Sequence, residues 1–283
     1  MAIREVNVTL VSRTVSGLFQ QACHNLPPDV LTALENARDA EESPTGRDIL
    51  ERLLVNAEVA PREDIPLCQD TGLAVVWLDV GQDVHFTGGD ILDAVNEGVR
   101  EGYREGYLRK SVVSRPFTAR VNTGDNTPAD IWMQIVPGSR VSIQVLPKGG
   151  GSENMSRLTV LTPAQGRQGI IDFVTKVVDE AGGNPCPPLV VGVGIGGTTE
   201  KTMMLAKKSL LRRVGEPSQD EENAALERDL LAAVNSLGVG ALGYGGTVTA
   251  LAVHVESFPC HIASLPVAVN LQCHSARRAE AEI

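Results

Sequence analysis

Leu189-Val190-Val191-Gly192-Val193-Gly194-Ile195-Gly196-Gly197-Thr198-Thr199 is the stretch whose reading decides the fold. Residues 189–193 read as a short buried strand, followed by a glycine-rich loop and a helix to about Leu211. By its letters the run from Gly192 to Gly197 fits G-x-G-x-x-G, so a doubly wound dinucleotide fold must be weighed. That fold needs a second strand closing on an acidic residue about 20 positions further on. Lys207-Lys208-Ser209-Leu210-Leu211-Arg212-Arg213 stands there instead, followed by the polar stretch 216–222. No strand intervenes before the next helical pattern, 226–237. The simpler reading is a tight turn where helix and strand pack closely. Thr198 or Thr199 would cap the helix, whose N-terminus could face an anion.

Outward from this stretch the alternation is irregular. Residues 1–60 read as helical, broken at Asn25-Leu26-Pro27-Pro28, with a new helix start at Ser43-Pro44-Thr45. An apolar run from Leu73 to Val80 reads as a strand, and 91–109 reads as a helix. Segments 131–136 and 141–146 read as two strands around a tight turn at Pro137-Gly138-Ser139. A helix is expected over 163–180, with further strands over 248–255 and 266–271. Neither a βαβ repeat nor a helical bundle fits this order. The expected class is α+β, with mixed helices and strands in one domain over residues 1–283, either undivided or in two lobes.

The chain has 283 residues, 42% hydrophobic and 21% charged, the composition of a globular protein. Its formal net charge is −10 and aromatics make up only 4%. It therefore lacks both the basic footprint and the stacking surface of a nucleic-acid binder. No segment is apolar and long enough to span a membrane, and the N-terminus has no signal core. A cytoplasmic location is expected, with reduced thiols.

Five cysteines at wide spacing form a poor disulfide framework. Cys68 lies in Ile65-Pro66-Leu67-Cys68-Gln69-Asp70-Thr71-Gly72. Cys186 is flanked by prolines in Asn184-Pro185-Cys186-Pro187-Pro188. Cys273 lies in Asn270-Leu271-Gln272-Cys273-His274-Ser275-Ala276-Arg277. All three are expected on rigid loops at element ends. Cys23 falls in a helical stretch and reads as structural, and Cys260 is ambiguous. Short C-x₂₋₄-C spacing, the mark of structural zinc, is absent. Three cysteines on an iron–sulfur cluster would leave one iron open as a Lewis acid, suited to adding or removing water. Lys148-Gly149-Gly150-Gly151-Ser152-Glu153-Asn154 adds a loop whose amides and lysine could hold a small anion, or that is simply a flexible turn.

These motifs, in this order from about residue 10 to the end, resemble the class I, iron–sulfur-dependent fumarate hydratases. The likeness is greatest to the α subunit of the two-subunit form, with the tartrate dehydratase α subunit as the related alternative. The resemblance implies a 4Fe–4S cluster with one open iron site, held by Cys68, Cys186 and Cys273. His261, twelve positions before Cys273, matches the spacing of a family histidine and sets Cys260 aside. It further implies substrate contacts by Gln69, Asp70, Arg109, His261 and Gly150 or Gly151, with Asp70 catalytic in proton transfer. Arg109 has a bland alternative, a cation at a helix C-terminus, and His261 another, a satisfied core residue. The implied reaction is reversible hydration of fumarate to (S)-malate, a small dicarboxylate. No C3 base is evident. Single-chain relatives continue into a further domain, so a β subunit in an α₂β₂ assembly is expected to complete the site. A non-catalytic iron–sulfur scaffold or redox sensor is the reading from another class.

Overall fold

The computed structural model describes residues 3–283. The class is α+β, and the chain divides into two compact units. The first comprises Met1–Pro27, Ala57–Gly150 and Arg277–Ile283; the second comprises Pro28–Asn56 and Gly151–Ala276. In chain order the elements begin with β1 (Arg4–Asn7), α1 (Val8–His24), α2 (Pro28–Ala40), α3 (Pro44–Glu63), β2 (Leu73–Gly81) and β3 (Val84–Thr87). They continue with α4 (Ile91–Glu105), β4 (Asp130–Val136), β5 (Val141–Lys148), α5 (Gly150–Glu153), β6 (Arg157–Leu161) and α6 (Gly166–Ala181). The last are β7 (Leu189–Gly196), α7 (Thr199–Ser209), α8 (Glu221–Asn235), β8 (Ala250–Phe258), β9 (Leu265–Gln272) and β10 (Ala279–Glu282).

In the first unit a four-stranded sheet of order β10-β5-β2-β4 packs under α1 and α4, and β1 pairs with β3. Asn7 caps α1 by accepting the Thr9 N–H, and Asp90 caps α4 by accepting those of Leu92 and Asp93. Val11, Val15 and Phe19 on α1 and Val95, Val99 and Tyr103 on α4 recur at helical spacing. They close over Val76, Leu78 and Val80 of β2 and Val141, Ile143 and Val145 of β5, each fully or nearly fully buried. Burial of each such side chain contributes roughly 1.5–3 kcal/mol. The two strands around Pro137-Gly138-Ser139 form but do not pair with each other. β4 runs parallel to β2 on one side and β5 antiparallel to it on the other. The turn therefore crosses the end of β2, and its Gly138 and Arg140 carbonyls accept the N–H groups of Asp83 and Gly81. A turn this short can cross two strand spacings, about 10 Å, as readily as it can close a hairpin.

In the second unit the sheet order is β6-β9-β7-β8, with β7 parallel to β8 and antiparallel to β9. Val191 and Val193 of β7 face a core shared with Val267, Val269 and Leu271 of β9 and with the apolar faces of α6 and α8. The opposite face of β7 answers the glycine question. Gly192 and Gly194 both lie within the strand, which runs to Gly196, three residues past its expected end. A Cβ at either would stand 2.1 Å from a carbonyl oxygen of α7, that of Ala206 or Thr202. The glycines thus let helix backbone lie against strand backbone, and the next strand, β8, follows only after α8. Thr198 caps α7 by accepting the Lys201 N–H. Gly194→Ala is expected to destabilise the protein by about 1–3 kcal/mol or more through overpacking. Chemical denaturation should show a fall in midpoint, and an unchanged midpoint would refute the contact.

Strands β1, β3, β6 and β10 are not expected from the sequence. They are short, four or five residues each, and mostly polar or half-exposed. Helix α4 ends at Glu105, four residues before its expected end, because Gly106 caps it and Tyr107 turns the chain at φ 52°. Among the described residues no helix is long and apolar enough to cross a membrane.

Candidate active site

In the first unit the chain leaves α3 through Ile65-Pro66-Leu67, and the Leu67 N–H donates to the carbonyl of Cys23. Cys68 then lies half-buried on a loop. The Asp70 N–H donates to its Sγ at 3.4 Å, and the thiol donates to Gln69 Oε1 at 3.4 Å. An amide aimed at a sulfur stabilises negative charge there. The Asp70 carboxylate is held at both oxygens. Oδ1 accepts the Gly72 N–H at 3.1 Å, and Oδ2 accepts the Gly150 N–H at 2.7 Å. The Cys68-Gln69-Asp70 loop and the glycine turn after Lys148 are thereby joined.

Arg109 enters the same neighbourhood through its backbone, since the Thr71 hydroxyl donates to its carbonyl at 3.0 Å. Its side chain is exposed and lies four residues past the end of α4, so it does not complement that helix's dipole. Beneath the loop Tyr103, fully buried, donates its hydroxyl to the carbonyls of Thr71 and Gly72 at 3.1 and 3.0 Å. Burial raises its phenol pKa well above the usual value, so it remains a donor. Arg277 is buried in this unit, and a Cβ at Gly149 would stand 3.5 Å from its Nη2 and 3.4 Å from Asp70 Oδ2. Lys148 is fully buried.

In the second unit Cys186 is exposed at φ 57°, a conformation that non-glycine residues seldom adopt. Its carbonyl accepts the His274 N–H at 3.2 Å, and His274 Nδ1 lies 3.1 Å from the same oxygen. Cys273 precedes that histidine and is half-exposed, with Sγ 3.7 Å from Ser275 Oγ. Backbone bonds therefore tie the Cys186 and Cys273 loops together. Gly151 packs on the Cys186 loop, where a Cβ would stand 2.9 Å from the Asn184 carbonyl.

The other sulfurs differ. Cys23 is a core residue of α1, and burial pushes its thiol up to about 11, partly countered by Arg277. Cys260 is exposed on the loop before β9 and donates to the Ser264 carbonyl at 3.3 Å. His261 belongs to that same exposed loop, its Nδ1 accepting the Ala263 N–H at 3.1 Å. It is neither a core residue nor a neighbour of Cys273. The eight residues of β9 separate them, a span of about 26 Å.

Among the described residues no three His, Cys, Asp or Glu side chains are gathered as for a single metal ion. A four-iron cluster is wider than an ion and sets its thiolates further apart. In donor chemistry each of Cys68, Cys186 and Cys273, taken by itself, suits such a group: none is in a disulfide, each reaches the surface at least in part, and each lies on a hydrogen-bonded loop. Beside Cys273, Gln272 is 1% exposed, and neither its Oε1 nor its Nε2 has a hydrogen-bond partner among the described residues. An unsatisfied buried amide calls for a further group.

Thr71 and His274 escape the motif reading as positioning residues. Each lies inside a quoted motif, Asp70-Thr71-Gly72 and Cys273-His274-Ser275, but only the fold supplies their partners.

A family model described as Fumarate hydratase (Fumerase) matches residues 12–282. The chain is 43% identical over 274 residues to a Methanocaldococcus jannaschii protein named "Putative L(+)-tartrate dehydratase subunit alpha". That match covers 95% of this chain and 96% of the relative. It is 32% identical over 275 residues to the L(+)-tartrate dehydratase subunit alpha of Escherichia coli strain UTI89, covering 96% and 90%. The protein of the same name in strain K12 is 31% identical over an equal length.

Proposed function

Since this chain belongs to the fumarate hydratase (Fumerase) family of hydro-lyases, we propose that it is the α subunit of an iron–sulfur enzyme that interconverts fumarate and (S)-malate. The observation that carries this reading is the joining of Cys68, Gln69, Asp70, Arg109 and Gly150 in one unit. The bonds from Gly150 to Asp70 and from Thr71 to Arg109 hold them.

Cys68, Cys186 and Cys273 are the residues that would hold a 4Fe–4S cluster. Bound there, a cluster with one open iron supplies a Lewis acid for an oxygen of the substrate. The chain's own residues do the rest. Arg109 grips a substrate carboxylate through two parallel hydrogen bonds from its planar guanidinium. Gln69 adds an amide to that contact. Asp70, its orientation fixed at both oxygens, exchanges a proton with the departing hydroxyl. With the Gly150 N–H committed to Asp70, Gly151 is the glycine assigned to the substrate. His261, on the exposed loop at the far end of β9 from Cys273, stays a candidate substrate contact outside this hydrogen-bonded group.

The proton on C3 needs a base that none of these residues supplies. A complementary β subunit would provide it in an α₂β₂ assembly, and the relatives' names as alpha subunits support such a partner. Those names also favour a second reading, dehydration of L(+)-tartrate. The two substrates share the 2-hydroxy dicarboxylate that Arg109 and Asp70 would address.

The test is anaerobic reconstitution with iron and sulfide, with and without the complementary subunit. Turnover of malate, fumarate and L(+)-tartrate is then measured side by side. The expected result is no turnover by the isolated chain, and a higher kcat/KM for malate and fumarate in the complex. A higher kcat/KM for tartrate would establish the second reading. A complex that holds its iron yet turns over none of the three would sink the hydro-lyase reading.

A further inference from the structure

We propose that Glu41 is a positioning residue for the loop that carries Cys186, acting through the glycine-rich segment 238–247. The consequence for the cluster rests on the reading of Cys186 as a ligand; the mechanical link does not.

Glu41 stands between α2 and α3 and is fully buried, far from any residue the mechanism uses in the sequence. Its carboxylate accepts four hydrogen bonds. Oε1 takes the Ser43 N–H at 2.9 Å, the Thr247 N–H at 2.8 Å and the Thr247 hydroxyl at 3.1 Å. Oε2 takes the Val248 N–H at 3.1 Å. Burial alone would raise its pKa, but the bonds from Thr247, Ser43 and Val248 outweigh it and the net shift is downward. The group is also confined sterically. A Cβ at Gly46 would stand 2.9 Å from it, and one at Gly246 would stand 2.7 Å away. A buried carboxylate so placed fixes the end of the 238–247 segment as a rivet does.

The same segment carries the restraint onward. The Gly245 N–H donates to the Val239 carbonyl at 2.9 Å, closing the loop on itself. At its tip the Leu242 N–H donates to the Pro187 carbonyl at 2.8 Å, one residue past Cys186. Backbone also meets backbone there: a Cβ at Gly243 would stand 2.6 Å from the Gly183 Cα, and one at Gly183 would stand 2.9 Å from the Leu242 carbonyl oxygen. Two non-glycine residues at this contact, Leu242 at φ 51° and Cys186 at φ 57°, occupy the left-handed region. Such conformations persist where surrounding contacts over-determine them. Glu41 supplies the fixed end of those contacts.

The test substitutes Glu41→Gln, which keeps the shape but turns one acceptor oxygen into a donor facing N–H groups. Hydrogen exchange is followed at three amides: Cys186, which donates to Gly183, Leu242, which donates to Pro187, and His274, which donates to Cys186. Their exchange is expected to rise about tenfold or more while amides of β7 and β9 keep their protection. In the reconstituted protein, iron should leave faster to a chelator, with earlier loss of the cluster's visible and EPR signals. If Glu41→Gln does not fold, Thr247→Val removes one of the four bonds and should loosen the same three amides to a smaller degree. Loosening confined to residues 43–47 and 247–248, with the three amides still protected, would overturn the proposal. Loosened amides with an unchanged rate of iron loss would uphold the link and overturn its consequence for the cluster. If the unsubstituted protein holds no iron, the ligand reading fails and the exchange result alone decides the link.

Discussion

Cys186→Ser and Cys273→Ser are each expected to lose most of the iron bound after anaerobic reconstitution, and Cys68→Ser likewise. Serine keeps the size of the side chain, so the loops should fold as before. A hydroxyl stays protonated at neutral pH, whereas cluster iron binds the thiolate. The fold makes the contrast with the remaining cysteines sharp. Cys23 sits in the core with its thiol pushed up to about 11, so it does not present a thiolate at neutral pH. Cys260 lies on the loop at the far end of β9 from Cys273, outside the pair of loops that His274 ties together. Cys23→Ser and Cys260→Ser should therefore keep their iron, apart from a stability loss at Cys23. Iron and sulfide analysis with EPR checks all five. A full cluster in Cys273→Ser together with its loss in Cys260→Ser would reverse the assignment.

Asp70→Asn is expected to lower kcat of the two-subunit enzyme by about a hundredfold or more, the scale of a lost proton-transfer group. The amide also turns one oxygen into a donor facing the N–H of Gly72 or Gly150. The glycine turn would then separate from the Cys68 loop, so a rise in KM should accompany the fall in kcat. Thermal unfolding and iron content separate the two effects. A variant with full iron, a normal unfolding temperature and unchanged kcat would show that Asp70 only holds the turn.

Much of the fold is legible because burial imposes a period on the letters. The apolar run of β2 and the helical spacings of α1 and α4 follow from the need to cover one face of a sheet. What escapes is whatever lacks its own hydrophobic period. Strands β1, β3, β6 and β10 are short ladders whose hydrogen bonds come from distant partners, as when Ala279 faces Val145. The crossing of β2 by the 137–140 turn escapes for another reason. A tight turn specifies that the chain reverses, and leaves open whether another strand fills the gap.

For the candidate site, the sequence by itself determined the local settings: two cysteines on proline- and glycine-bounded loops, a third just past an expected strand, and a carboxylate two residues after the first. Those follow from residue type and local backbone restriction, which are properties of short stretches. The tertiary structure alone decided which of these groups meet. It paired Asp70 with Gly150 across 80 positions and Cys186 with His274 across 88. It put the length of β9 between His261 and Cys273, although only twelve residues part them in the chain. It also moved Gly194 from an expected loop into the strand that holds Gly192, where the backbone of α7 leaves no room for a side chain at either. The reason is physical. An extended strand carries neighbours in sequence far apart, while sheet pairing and close helix contact bring distant residues within a hydrogen bond.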